Sequence, residues 1–109
     1  MQFVVISLDG NDGEAIERRA KYRPAHIEYG EKMRQAGTMW YGAALTDGNG
    51  NMNGSMILVN FPSRKELDKW LEEEPYVLGE VWKDIKVYPA NVRDPWQYSQ
   101  SKDWFERLA

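Results

Sequence analysis

The stretch from Thr38 to Phe61 narrows the choice of folds more than any other part of this chain. Two runs of strand formers, Thr38 to Thr46 with Trp40 and Tyr41, and Ser55 to Phe61, flank Asp47-Gly48-Asn49-Gly50-Asn51-Met52-Asn53-Gly54. The intervening residues tolerate positive φ and form a loop longer than a two-residue turn, so the runs are expected to pair as an antiparallel hairpin. Whatever precedes and follows must be built onto that hairpin.

Before it, Phe3 to Leu8 is a nearly continuous apolar run closed by Asp9-Gly10-Asn11-Asp12-Gly13, which reads as a buried strand and a turn. Glu14 to Tyr22 is helix-forming, with Ala15, Ile16, Arg19 and Ala20 at helical spacing. Pro24 is expected to break or restart that helix, because it pushes Arg23 away from α geometry. A second helical stretch then runs from about Pro24 to Ala36 and stops at Gly37.

After the hairpin, Ser63-Arg64-Lys65-Glu66 has the spacing of a capping box, and Leu67, Trp70 and Leu71 form the apolar stripe of a helix. Pro75 interrupts it, a short helical turn follows over Tyr76 to Glu80, and Trp82 to Tyr88 is a fourth strand ended by Pro89. The order β-α-β-β-α-β predicts an α+β, ferredoxin-like domain: a four-stranded antiparallel sheet with its helices on one face. The other face would be bare, and large apolar patches mark association surfaces. A homodimer joined sheet to sheet, closing a dimeric α/β barrel, is the expected partner arrangement.

Residues 1–92 form the expected domain, and 93–109 an aromatic extension. Trp96, Tyr98, Trp104 and Phe105 in that tail are expected to pack on their own domain or on the partner subunit; the alternative is a lid over a ligand pocket. A formal charge of −3 with scattered Lys and Arg argues against nucleic acid. The absence of cysteine excludes disulfides and thiolate chemistry. No run reaches the roughly 20 apolar residues of a membrane span, and the N-terminus lacks the pattern of a signal peptide. A cytoplasmic protein is the expectation.

The only histidine lies in Arg23-Pro24-Ala25-His26. Imidazole is the side chain whose ordinary pKa lets it give and take protons near neutrality. With Pro24 starting a helix, His26 would stand in the first turn, near the positive end of the dipole. At about 100° per residue, Glu28, Glu31, Lys32 and Gln35 share the solvent face, and His26 lies opposite its centre, near Tyr29, Gly30 and Met33. The ring therefore points toward the sheet, with Gly30 leaving space beside it. Two readings stand: a satisfied structural histidine, or a general acid and base in a pocket between helix and sheet.

Arg23-Pro24-Ala25-His26, placed before Gly37, a strand and a Gly-rich hairpin, together with Glu74-Pro75-Tyr76-Val77 before the last strand, resembles the YciI-like (YCII-related) family. There the helix motif is R-P-x-H and the later one D-P-(F/Y). The resemblance covers about residues 1–92. It implies a ferredoxin-like domain dimerised through its sheets, with a histidine–aspartate pair proposed as the active site. It also implies a range of chemistries, from dehydrochlorination of chlorinated hydroxyquinones to the isomerases, monooxygenases and peroxidases of the wider dimeric α+β barrel class. His26 matches the family histidine, Glu74 stands at the aspartate position and Tyr76 at the aromatic one. Glu for Asp adds a methylene and shifts the carboxylate oxygens, which matters for a pair that needs hydrogen-bond geometry.

The expected function is cofactor-independent acid–base chemistry of lyase or isomerase type on a small cyclic molecule. His26 and Glu74 would be the catalytic pair, and Ser7, Arg23, Trp40, Tyr41 and Tyr76 the substrate-binding residues. The competing reading is a non-catalytic dimer that binds a small molecule or a protein. With one histidine and no cysteine, no metal site is expected, and no Gly-rich phosphate loop points to a nucleotide. Haem is disfavoured because Tyr29 and Met33 would fill the gap beneath the helix.

Overall fold

The computed structural model describes residues 1–93, so the expectations for the tail beyond Arg93 lie outside the described residues. The elements run β1 (Gln2–Asp9), α1 (Ala15–Gln35), β2 (Met39–Thr46), β3 (Met52–Asn60), α2 (Arg64–Glu73), α3 (Pro75–Leu78) and β4 (Trp82–Ala90). They form one four-stranded sheet in the order β2-β3-β1-β4, with every neighbouring pair antiparallel. This is the ferredoxin-like α+β arrangement. Among the described residues no helix is long and apolar enough to cross a membrane.

Strand alternation sorts the sheet into two faces. Phe3, Val5 and Ser7 of β1 pair with Val59, Ile57 and Ser55 of β3, and all six are buried under the helical layer. Leu67 and Trp70 of α2, Tyr76 of α3 and Val81 close the core from above. Val4, Ile6 and Leu8 turn the other way, with Met56 and Leu58 beside them, and Leu8 and Tyr88 are exposed there.

Three boundaries differ from expectation. The hairpin loop shortens because β3 begins at Met52: Asp47 Oδ1 accepts from the backbone N–H groups of Asn49 and Asn51, at 2.8 and 3.0 Å, and closes the turn early. Pro89 does not end β4, which runs on to Ala90; β4 is an edge strand, where a missing N–H can face solvent. Pro24 does not split the first helix either. α1 is continuous through it. Both Pro24 and Ala20, whose carbonyl loses its helical donor, lie on the exposed side, where water can take the donor's place. His26 is consequently a mid-helix residue, and the dipole argument for it falls away.

Helix α2 begins at the expected N-cap, with Ser63 Oγ accepting from the Glu66 N–H at 3.3 Å. It ends where Glu74, preceding Pro75, is extended at φ −66° and ψ 124°. The same residue caps α3: its carboxylate accepts from the Tyr76 N–H at 3.1 Å. Helix α1 docks on this corner at Gly79, where a Cβ would stand 2.5 Å from the Tyr22 ring. That close approach brings the middle of α1 against the α2–α3 junction.

Candidate functional site

Continuity of α1 puts Arg19, Arg23 and His26 on one stripe, because residues four and seven apart return to nearly the same helical angle. All three line a cavity of about 270 Å³ between α1 and the edge strand β2, with Ser55, Ile57 and Tyr76 as its floor. Gly42 and Ala44, opposite Ile57 and Ser55 on β2, leave that space open. Met39 closes one end. A Cβ on Gly30 would lie 3.3 Å from its Sδ and one on Gly42 2.8 Å from its Cε, so the room beside Gly30 is taken by a thioether.

His26 Nδ1 lies 2.6 Å from Glu74 Oε1. Glu74 is 1 % exposed, and the imidazole is mostly buried. A carboxylate can only accept, so against it Nδ1 is the donor, and in a neutral ring of that tautomer the lone pair is on Nε2. The ring stacks on Tyr76 at 3.9 Å between centroids, 7° from parallel, and meets Trp82 edge-on at 5.8 Å. These contacts leave the imidazole one orientation. The extra methylene of Glu74 is accommodated because its backbone sits at a helix junction rather than inside a helix.

A second buried pair lies two turns earlier on α1. Arg19 Nη1 donates to both Asp9 oxygens, at 3.1 and 3.0 Å, and Nη2 to Ser55 Oγ at 3.2 Å. Trp82 Nε1 donates to the same hydroxyl at 3.3 Å. The Arg19 guanidinium carbon stands 4.8 Å from the centre of the Tyr76 ring, within cation–π range. Burial pushes the Asp9 carboxyl up, more than Arg19 beside it draws it down. Burial likewise raises the Tyr76 phenol, which therefore stays protonated. Its hydroxyl, the Arg19 Nε and the Ser7 hydroxyl are buried without a hydrogen-bond partner among the described residues.

Of the expected site residues, the structure brings His26, Glu74, Arg23 and Tyr76 together. Ser7 lies beside Ser55 in the register but is wholly buried and does not line the cavity. Trp40 and Tyr41 lie elsewhere, bordering a separate depression with Arg34 and Met39. The register shift between Met39 and Tyr41 displaces Trp40 from the ladder and sets Tyr41 opposite Leu58, on the face turned away from the helices. The Trp40 indole N–H donates to the Gly37 carbonyl at 3.0 Å. Arg19, Asp9, Ser55 and Trp82 were not expected at the site. Arg19 had a legible signal, its place seven residues before His26, which the expected break at Pro24 concealed. Among the described residues no group of three His, Cys, Asp or Glu side chains is placed to hold a metal ion.

The model of the YCII-related domain matches residues 1–91. Protein YciI of Escherichia coli is 24% identical over 95 residues, which span 82% of this chain and 95% of that protein; the Shigella flexneri YciI matches equally. Among solved structures, the 5-chloro-2-hydroxyhydroquinone dehydrochlorinase TftG from Burkholderia phenoliruptrix, in complex with 2,5-dihydroxybenzoquinone, superposes with a TM-score of 0.75 at 19% identity. It covers 84% of this chain and 94% of its own. An antibiotic biosynthesis monooxygenase superposes at 0.51 with 20% identity, over 85% and 99% of the two chains. At such identities the structural likeness speaks to the fold. The match of the domain model over most of the chain speaks to descent: this protein belongs to the YCII-related domain family.

Proposed function

We propose that this protein catalyses cofactor-independent proton transfer, of lyase or isomerase type, on a small cyclic molecule held in the cavity beside His26. The observation that carries this reading is the 2.6 Å contact between His26 Nδ1 and the buried Glu74 carboxylate, with the ring at the cavity wall. Glu74 fixes the tautomer and stabilises the imidazolium once Nε2 has taken a proton, which is the task of the third member of a catalytic triad. In an elimination, the C–H electron pair becomes the new double bond, the leaving group departs with its own pair, and the proton goes to Nε2. In an isomerisation the same proton returns to another atom. The likeness to a dehydrochlorinase of a chlorinated hydroxyquinone supports a planar ring as substrate, and a cavity near 270 Å³ suits a single ring.

The active unit in this proposal is a homodimer joined through the open sheet face, where Val4, Ile6, Leu8, Met56 and Leu58 form a contiguous apolar surface. A second reading, a dimer that binds a small molecule without turning it over, draws on the structural task Glu74 already has as the cap of α3.

The test is chloride release from 5-chloro-2-hydroxyhydroquinone, and solvent deuterium exchange into small hydroxyquinones, by wild type and His26→Ala. Catalysed release or exchange that disappears in a folded His26→Ala supports proton transfer through His26. Equal rates for both proteins sink it, and binding without either reaction favours the second reading.

A further inference from the structure

We infer that the ligand of the His26 cavity is bound as an anion, a planar ring bearing an enolate, phenolate or carboxylate oxygen, and that Arg19 and Arg23 receive its charge. The inference rests on the cavity being the site, and it adds a substrate class and an anion-binding residue, Arg19.

The lining is one-sided in charge. Its ionisable groups are Arg19, Arg23, His26 and the protonated Tyr76, and no carboxylate faces the space. Asp9 and Glu74 stand behind Arg19 and His26, where they orient the cations without meeting a ligand. A ligand entering between α1 and β2 therefore encounters donors. A proton taken up by His26 adds one positive charge to a lining that carries no carboxylate. Negative charge left on the ligand by that step is then balanced.

The two arginines have complementary roles. Arg23 is exposed at the mouth and makes no hydrogen bond or ion pair among the described residues, so it is a cation without a partner. Arg19 is almost wholly buried and held by Asp9 and Ser55. Those bonds come from Nη1 and Nη2, and the buried Nε has no partner among the described residues. An unpartnered donor on a fixed guanidinium is costly to keep unless something accepts from the group. Along the helix axis Arg19 and His26 are about 10 Å apart, with Arg23 between them, a span suited to one substituted ring.

Calorimetric titration of the full chain with charged and uncharged twins, benzoate against benzamide and 4-nitrophenolate against 4-nitroanisole, tests this in low-salt buffer. The anion of each pair should bind at least tenfold tighter, the discrimination one charge-assisted hydrogen bond supplies, and the margin should shrink as salt is added. Arg23→Gln should lose most of the preference. Arg19→Gln alone strands the Asp9 charge and can unfold the chain, so Asp9→Asn/Arg19→Gln is the companion variant and should lose it too. Equal binding of the twins, no binding of either at millimolar concentration, or a preference that survives in both variants overturns the proposal. His26→Asn keeps these outcomes apart from those of the proton-transfer reading: it should retain the anion preference while losing turnover. Anion selection in a protein whose turnover ignores His26 would sink that reading and leave this one standing.

Discussion

Two depressions in this molecule differ in a way that size does not predict. At the hairpin end a groove of about 770 Å³ is bordered by Asp9, Asp12, Asp47 and Asn51. The His26 cavity, on the other side of the Asp9–Arg19 pair, is about 270 Å³. The larger one holds more acidic groups, yet they are committed or solvated: Asp12 pairs with Arg18 in the open, and Asp47 closes its own turn. In the smaller one Arg19 and His26 are mostly buried and fixed by partners behind them. Preorganised, desolvated groups can stabilise a transition state without rearranging, whereas solvated ones cannot.

The largest expected effect on this contrast comes from His26→Ala, which should lower turnover by about 10²–10⁴-fold, the usual contribution of a general base. Its circular dichroism should remain that of wild type. Next comes Asp9→Ala, which strands the Arg19 charge; breaking a buried pair costs about 3–5 kcal/mol. Urea denaturation should show that loss, a large part of a typical 5–15 kcal/mol stability.

Ala44→Leu should keep the fold and weaken aromatic-anion binding about tenfold, since the larger side chain enters the cavity from an exposed edge strand. Unchanged affinity would show that the ligand does not use the β2 side. A smaller effect should appear at high pH. The Tyr29 hydroxyl, which donates to the Trp70 carbonyl at 3.1 Å, is pushed up to about 12 by burial and then by the nearby Glu73 and Glu74 carboxylates. A raised value means the protonated phenol stabilises the folded state. That contribution is complete below 10.0 and is lost as pH climbs toward about 12. Alkaline titration of thermal stability should therefore fall more steeply for wild type than for Tyr29→Phe.

Least should come from the groove. Arg18 holds the Asp12 carboxyl down at about 2, so its contribution is present above 3.8 and fades as pH falls toward 2. The pair is solvent-exposed, and Asp12→Asn should leave the melting temperature near that of wild type at neutral pH. A large loss there would break the distinction between the two depressions.

Much of this was legible in residue order. The hairpin, the Ser63 cap and the apolar run from Phe3 to Leu8 depend on local rules, and they lead to the sheet directly. The inward turn of His26 also followed from helical phase, since it needs only the residues within one helix. Pro24 misled because the cost of a proline inside a helix is a local quantity. Here α1 is tied down on both sides of it, by Arg19 to Asp9 and by His26 to Glu74. A helix broken at Pro24 gives Arg19 and His26 no common phase, whereas the continuous α1 sets them on one stripe. Trp40 and Tyr41 were misplaced for a similar reason: one register shift moves a side chain to the opposite face of a sheet, and nothing in the run announces it.

By itself, then, the sequence determined the element order, the sheet with its helical layer, and the histidine at the centre of interest, because each depends on spacing within a single segment. Only the tertiary structure decided that Glu74 reaches His26, that Asp9 and Ser55 hold Arg19, and that β2 leaves a cavity in front of them. Those contacts join residues far apart in the chain. Their distances are set by how α1 seats on Gly79 and by where the strands slip in register, which no local pattern encodes.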